Sequence, residues 1–209
     1  IANRFIEKKQ SSLEAQLTNI CDEIAYNNHD IQDGIKAKKI SIEQLENVPL
    51  FNDAMIKILK KYPKLKGSKL VNEIVRSIIN LLVNNLIENS SFNIKNNNIE
   101  SFENVRNFSG LIIGFSKEIK KSNIELKKFL YANLYKHPDV EKMTNRANLI
   151  IEKLFSYYNE DISLLPKEYF DYNVNKINAG FKERVICDYI AGMTDRFAQQ
   201  EYSKLSKSI

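Results

Sequence analysis

Apolar residues recur at intervals of three and four along most of the chain, which is the spacing of amphipathic α-helices. Residues 11–34 are the clearest case, because Ser11 and Glu14 form a capping box, Gly34 stands where a helix would end, and no proline interrupts the segment. At about 100° per residue the apolar side chains fall on one narrow stripe: Leu13, Leu17, Ile20, Ile24 and Ile31. The pattern therefore predicts a helix with one packed face.

The same spacing predicts helices through the rest of the chain, so the predicted fold class is all-α, a helical bundle. The predicted helices span residues 41–46, 52–62, 68–89, 116–137, 139–158 and 181–204. A short helix is predicted to start at Pro166, and residues 100–108 are predicted to form a short helix or a turn. We expect a kink near Ser122 and Asn123. At Gly192, where glycine costs about 1 kcal/mol relative to alanine, we expect the close approach of another helix.

A few segments lack helical spacing. Residues 1–10 are polar and are expected to be the tail of a connection, and the asparagine-rich residues 93–98 are expected to form a surface loop. Residues 110–115 are apolar and predicted to be extended, as the one strand-like piece. They carry no phosphate-loop signal, because the Lys-Ser or Lys-Thr pair of such loops does not follow. Gly180 precedes the last predicted helix.

The polar face of the first predicted helix carries chemistry of its own. Opposite the apolar stripe lie Asp22, Tyr26, His29, Asp30 and Asp33. Three aspartates on one face repel each other by a few tenths of a kcal/mol per pair, so a metal ion or basic side chains would stabilise them. The alternative is an ordinary solvated face.

Two long motifs in this chain resemble signatures of one family. Residues 22–34 read DEIAYNNHDIQDG, and residues 186–198 read ICDYIAGMTDRFA. Both resemble the bacterial deoxyguanosine triphosphate triphosphohydrolase-like proteins, a branch of the HD-domain metal hydrolases, and they occur in the same order. LYKHP at 134–138 and SLEAQ at 12–16 fit as well, so the resemblance covers nearly the whole chain.

The resemblance implies roles for particular residues. Asp22 would be the last ligand of a divalent metal such as Mg or Mn, while Tyr26 and Asp30 would face the deoxyribose of a deoxynucleoside triphosphate. On the helix 116–137, Lys127, Tyr131 and Tyr135 lie along one side at four-residue steps. By the resemblance Lys127 would face the triphosphate, and Tyr135 and His137 the base or sugar. The alternative is that the tyrosines pack and Lys127 is solvated.

The chain also departs from the family pattern. The other metal ligands, a His and a His-Asp pair, lie upstream in the family, whereas no histidine precedes Asp22 here. Since the chain begins with Ile1, we expect it to be the C-terminal portion of a longer protein or a chain whose N-terminal part was cut away. Residues 1–40 would then be the end of an HD-domain core, and residues 41–209 a helical C-terminal region. The dipeptide His29-Asp30 is not expected to bind metal, because only His137 remains as a second histidine.

Composition adds little to this picture. The 31 basic and 26 acidic residues leave a net charge of +5, which suits an anionic nucleotide. Cys21 and Cys187 lack metal spacing and are expected to be reduced, partly buried thiols of a cytoplasmic protein. The longest apolar run, residues 74–87, is broken by Arg76 and three asparagines, so we expect a core helix and no membrane contact.

The best functional interpretation is a dNTP triphosphohydrolase that assembles as a homo-oligomer. It would split a deoxynucleoside triphosphate into deoxynucleoside and triphosphate. A scaffold or regulatory module that kept the fold and lost the chemistry is the alternative. A domain that binds single-stranded nucleic acid is not indicated, because no contiguous basic stripe is present. We favour packing and ion pairing over a pocket role for Asp188, Asp195 and Arg196.

Overall fold

The computed structural model describes residues 9–171 and 181–207. Those ranges contain ten α-helices and no strand, so the predicted all-α class is confirmed. The chain divides into two compact units, residues 1–137 and 138–209, and each unit has its own hydrophobic core. Of the expected tail at residues 1–10, residues 1–8 lie outside the described residues, and so does Gly180. The implied division into residues 1–40 and 41–209 stays a prediction.

The first unit is a bundle whose core lies between its long helices. Its helices are α1 (Leu13–Lys36), α2 (Ile42–Leu45), α3 (Pro49–Lys61), α4 (Gly67–Asn96), α5 (Phe102–Asn107) and α6 (Lys117–Leu130), and a π-helical turn (Tyr131–Tyr135) continues α6. Helices α1 and α3 each pack against both α4 and α6. Pro49, predicted to end the short helix before it, instead occupies the first turn of α3, where its missing N–H costs nothing.

Helix α1 has the predicted apolar stripe with small shifts at both ends. Ser12 rather than Ser11 caps it, since the Ser12 hydroxyl accepts a hydrogen bond from the Ala15 amide at 3.3 Å. The helix also runs two residues past Gly34. A Cβ at Gly34 would lie 2.8 Å from the Cδ1 atom of Ile40, so this glycine permits close packing. On the stripe Ile24 and Ile31 are buried, whereas Leu17 is exposed.

Helix α4 continues to Asn96, into the asparagine-rich residues 93–98 that were predicted to be a loop. Three asparagines at four-residue steps (Asn85, Asn89 and Asn93) face the segment after α5. The side-chain amide of Asn93 donates to the Ile112 carbonyl and that of Asn89 to the Gly114 carbonyl, each at 2.8 Å. Asn85 both donates to the Ser116 hydroxyl and accepts from its amide. Side chains thus bond backbone groups of Ile112, Gly114 and Ser116, and the strand-like prediction for 110–115 was wrong.

By length and composition alone, α4 could also cross a membrane. Its buried residues belong to the core of the first unit, as expected of a core helix: Leu70, Val71, Ile74, Val75, Ile78, Leu82 and Leu86.

Helix α6 is regular where the kink was predicted. Its α-helical pattern holds through Ser122 and Asn123 up to Leu130, and the irregularity comes only afterwards, in the π-helical turn. The Asn123 side chain is buried within the first unit, with 3% of its surface exposed.

The second unit forms around α7 (Pro138–Glu160). The other elements are a 3-10 helix (Ile162–Leu164), α8 (Lys167–Asp171), α9 (Phe181–Ala191) and α10 (Asp195–Leu205). Helices α9 and α10 pack on α7 around the buried side chains of Leu154, Tyr158 and Ile186.

The single helix predicted for 181–204 was wrong, because the chain breaks at residues 192–194 and Thr194 caps α10. A Cβ at Gly192 would meet only backbone oxygens of α9 at ordinary distances, so among the described residues of the second unit no other helix packs closely against it.

Candidate functional site

All the residues predicted to bind metal or substrate lie in the first unit. Helix α1 carries Asp22, Tyr26 and Asp30, α6 carries Lys127, the π-helical turn carries Tyr131 and Tyr135, and His137 follows two residues later. Because α1 packs against α6, polar side chains meet in what we call the polar seam: Glu23 and Asp30 of α1 contact Asn123, Lys127 and Tyr135, and Asn27 belongs to it by its position between them on the same face of α1. The seam contains three of the predicted residues and three that the sequence analysis missed.

Asp30 and Tyr135 meet directly, although 105 residues separate them. The Tyr135 hydroxyl donates a hydrogen bond to the Asp30 carboxylate. Partial burial, together with the hydrogen bond and negative charge of Asp30, raises the pKa of Tyr135 to about 12. The phenol therefore remains a neutral donor across the ordinary pH range. The pair combines a carboxylate acceptor and a hydroxyl group, which can recognise a hydroxylated ligand.

The π-helical turn helps to put Tyr135 on this side. In a straight α-helix, eight residues from Lys127 to Tyr135 would rotate the side chain about 80° away, at about 100° per residue. A π-turn closes hydrogen bonds from i to i+5 and so holds more residues per turn, which reduces the rotation. Lys127 and Tyr135 consequently both contact α1.

Lys127 is paired with Glu23 at the other end of the seam. Its ammonium lies 2.7 Å from the Oε2 atom of Glu23. The side-chain amide of Asn123 donates to the other carboxylate oxygen, Oε1, also at 2.7 Å. Glu23 and Asp30 are seven residues apart, so the two contacts lie about 10 Å apart along α1. The arrangement puts a half-exposed cation at one end and the Asp30–Tyr135 pair at the other.

Sequence patterns could have indicated these missed residues. Glu23, Asn27 and Asp30 lie on one face of α1 at steps of four and three, and Asn123 precedes Lys127 by four residues. Asn27 is 8% exposed, and its side-chain amide nitrogen has no hydrogen-bond partner among the described residues. Buried amides of this kind are few in folded proteins. The seam is therefore polar in its interior as well as at its ends.

Most of the remaining predicted residues have solvent-facing side chains. Tyr26 is 63% exposed and Tyr131 is 59% exposed, with the Lys136 ammonium 5.7 Å from the centre of the Tyr131 ring. Asp22 is exposed and makes no hydrogen bond or ion pair with the described residues, and His137 is partly buried. Among the described residues, Asp22, Tyr26 and Tyr131 make no side-chain hydrogen bond or ion pair with the seam.

The described residues do not form a metal site by themselves. No group of three or more His, Cys, Asp or Glu side chains in residues 9–171 and 181–207 is arranged to hold an ion. Asp22 can supply one carboxylate ligand, whereas Mg is held by six ligands, several of them water, and structural Zn by four. The dipeptide His29-Asp30 likewise has no partner ligands in that part of the chain.

For the second motif the structure shows an ion pair but no packed side chain among Asp188, Asp195 and Arg196, and Asp195 lines a cavity of the second unit. Asp188 pairs with Arg184 of the same helix, α9, at 2.9 Å, and both side chains are exposed. Asp195 and Arg196 are exposed in the first turn of α10. Cys21 and Cys187 are free thiols, but both are exposed and not partly buried as predicted.

Comparisons with known proteins agree with the family resemblance. Residues 113–204 match the phosphohydrolase-associated domain. The chain is 41% identical over 205 residues to a deoxyguanosinetriphosphate triphosphohydrolase-like protein of Thiobacillus denitrificans, and 42% identical over 205 residues to one of Nitrosomonas europaea. Each match covers 98% of this chain and 53% of the relative. The chain thus spans about half the length of the curated relatives it matches.

Proposed function

Because the chain belongs to the family of deoxyguanosinetriphosphate triphosphohydrolase-like proteins, we propose that it is a portion of a metal-dependent dNTP triphosphohydrolase. The enzyme splits a deoxynucleoside triphosphate into deoxynucleoside and triphosphate. One observation carries the proposal. Helix α1 and the π-helical turn after α6 hold residues that the family resemblance assigns to substrate binding, and the two elements meet through the Asp30–Tyr135 hydrogen bond. The mild excess of positive charge suits the anionic substrate.

In this proposal the polar seam binds the substrate. The Asp30 carboxylate and the Tyr135 hydroxyl pair with the sugar hydroxyl, and Tyr26, at one turn from Asp30, forms the wall beside the 2′ position. A site that packs closely against this position disfavours ribonucleotides, because an added hydroxyl has neither space nor a partner. Lys127 faces the phosphates, where a fixed cation stabilises their charge. Tyr131 and His137 flank the base or the sugar.

Asp22 supplies a single metal ligand in the proposed enzyme, and further ligands come from outside the described residues. The described residues do not fit a complete metal site, so no chemical step of the ion is assigned to them. We also propose that the 209-residue chain alone does not release triphosphate from dNTPs, because one exposed carboxylate cannot hold a divalent ion. Triphosphate release by the purified chain, above a metal-free control, would contradict this proposal.

The second candidate is a non-catalytic scaffold or regulatory module of the same fold. The absence of a metal cluster among residues 9–171 and 181–207 fits this candidate as well as it fits an enzyme whose other ligands lie elsewhere. The two candidates differ in the full-length protein, where only the enzyme binds metal and turns over substrate.

The test compares alanine variants of α1 in the full-length protein. Asp22→Ala is expected to abolish turnover and lower the metal content. Tyr26→Ala and Asp30→Ala are expected to leave the metal bound but to weaken the preference for dGTP over GTP. Asp33→Ala is the matched control, because Asp33 is an exposed aspartate of the same helix with no assigned role.

Metal content and the ratio of dGTP to GTP turnover decide the outcome. Ordinary surface substitutions change stability by about 0.5 kcal/mol or less, and the control should show no more. If all three variants behave like Asp33→Ala, the site assignment is wrong even though the fold stands. If the wild-type full-length protein neither binds metal nor hydrolyses dNTPs, the scaffold interpretation replaces the enzyme.

A further inference from the structure

Glu23 uses both of its carboxylate oxygens to connect two residues of α6. Its Oε2 atom accepts from the Lys127 ammonium and its Oε1 atom from the Asn123 side chain, each at 2.7 Å. These contacts join residues about 100 positions apart in the chain, so they depend on the packing of α1 against α6. The carboxylate therefore has a defined orientation set from two sides.

The buried partner gives the arrangement its rigidity. Asn123 is only 3% exposed, so its amide cannot move away into water as a surface side chain would. The Lys127 and Glu23 side chains are 46% and 34% exposed, and ion pairs of that exposure add little to stability because solvent screens them. A role in orienting Lys127 explains the geometry better than a role in holding the fold together.

We propose that Glu23 is a positioning residue that holds the Lys127 ammonium toward the phosphates of the bound substrate. This inference rests on the proposed function and concerns the phosphate end of the same seam. A lysine side chain has four rotatable bonds and loses considerable conformational entropy when it is held in one rotamer. Glu23 fixes it before the substrate binds, and an ammonium has three N–H donors, of which Glu23 uses one. The other two donors serve phosphate oxygens.

The opposite possibility is that Glu23 neutralises Lys127 and weakens its attraction for phosphate. The two roles predict changes of opposite sign when the charge of Glu23 is removed but its shape is kept. Glu23→Gln does this, because the amide oxygen still accepts from Asn123 while the ion pair with Lys127 is lost. An isosteric change of a partly exposed residue is expected to leave the fold intact, which circular dichroism and thermal unfolding check.

The experiment uses the full-length protein and two probes, inorganic triphosphate for the phosphate end and deoxyguanosine for the sugar end. Binding of each is measured by calorimetry and by inhibition of dGTP turnover. The variants are Glu23→Gln, Lys127→Ala and the double variant. Glu73→Gln is the matched control, because Glu73 is 36% exposed and pairs with Arg76 at 2.9 Å, away from the seam.

For Glu23→Gln we expect triphosphate to bind about five- to tenfold more weakly and the KM for dGTP to rise by a similar factor. Neither kcat nor deoxyguanosine binding should change by more than about twofold. Lys127→Ala should have at least as large an effect. The double variant should match Lys127→Ala, because Glu23 acts only through that lysine. Glu73→Gln should leave all of these values at the wild-type level.

Several results would overturn the inference. Tighter triphosphate binding in Glu23→Gln would show neutralisation, and equal losses for triphosphate and deoxyguanosine would show a merely structural role. An additive loss in the double variant would show that Glu23 acts independently of Lys127. A wild-type protein that binds triphosphate but hydrolyses no dNTP would refute the proposed function alone, and calorimetry would still decide the role of Glu23. A wild-type protein that binds no triphosphate would refute both.

Discussion

Replacing Gln16 with alanine is expected to destabilise the first unit strongly, because this one side chain satisfies buried backbone groups far away in the chain. Gln16 is 2% exposed. Its Oε1 atom accepts from the amides of Ile112 and Ile113, at 2.9 and 3.2 Å, and its Nε2 atom donates to the Ser11 carbonyl at 3.0 Å. The residue thus holds the irregular segment after α5 against the first turn of α1.

The magnitude follows from the groups left unpaired. Ile112 and Ile113 are 0% and 7% exposed, so water does not reach their amides easily. Each buried donor without a partner costs about 1 to 3 kcal/mol, which gives roughly 2 to 6 kcal/mol for the two. The Ser11 carbonyl is near solvent and can be rehydrated. Entry of water into the space left by the truncated side chain favours the lower half of the range, about 3 kcal/mol.

Gln32→Ala is the matched control for Gln16→Ala. Gln32 lies on the same helix and makes an exposed hydrogen bond of 3.1 Å to Asn72. The change in helix propensity is the same in both variants and cancels in the comparison. Urea unfolding measures the stability, and hydrogen exchange measures the local effect at residues 109–116. Exchange of the Ile112 and Ile113 amides should be about a hundredfold faster in Gln16→Ala, since about 1.4 kcal/mol corresponds to tenfold.

The prediction is wrong if Gln16→Ala unfolds at the same urea concentration as Gln32→Ala and the amides of residues 109–116 exchange equally slowly in both variants. That result would mean that other groups or water replace the lost acceptor at no cost. A loss of stability without faster exchange at Ile112 and Ile113 would also contradict it, because the damage would then lie elsewhere in the unit.

Three further predictions concern the ends of α1, the Tyr135 phenol and assembly. Ser12→Ala should cost about 1 kcal/mol of unfolding free energy and Ser11→Ala less than half of that, which thermal unfolding can check. In a spectrophotometric titration, Tyr135→Phe should remove a phenol that ionises near pH 12. Because the pKa is raised above 10, the associated stabilisation is complete below pH 10 and is lost between about pH 10 and 12. We also expect an oligomer in sedimentation at micromolar concentration, and a clean monomer would count against it; exposed Ile87 and Phe92 on α4 provide apolar surface.

Local patterns in the sequence were sufficient to predict most helices. A period of 3.6 residues depends only on which side chains face one core, so the apolar stripe of α1 and the class of the fold follow from it. The shared motifs also led to the family, which the comparisons bear out. The sequence did not predict the start of α1 correctly. Ser11 and Ser12 both have the hydroxyl that a cap needs, and only the backbone geometry selects Ser12.

The errors occurred where distant residues changed a local preference. Asparagines usually favour loops, yet Asn89 and Asn93 extend α4 because the carbonyls of Gly114 and Ile112 accept their amides. The apolar residues 110–115 do not pair as a strand with any described residue, because distant side chains already bond to their backbone. Their backbone bonds to side chains of α1 and α4.

In the candidate site, too, some features follow from local residue spacing and others depend on contacts between distant parts of the chain. The sequence by itself determined which helix faces carry Asp30 and Lys127, because those positions follow from residue spacing along one helix. Only the tertiary structure decided that Tyr135 reaches Asp30 and that Glu23 holds Lys127, across separations of 105 and 104 residues. The first result depends on rotation within a π-helical turn and the second on the packing of α1 against α6. Neither is encoded in a local period, because each is set by where two elements meet in space.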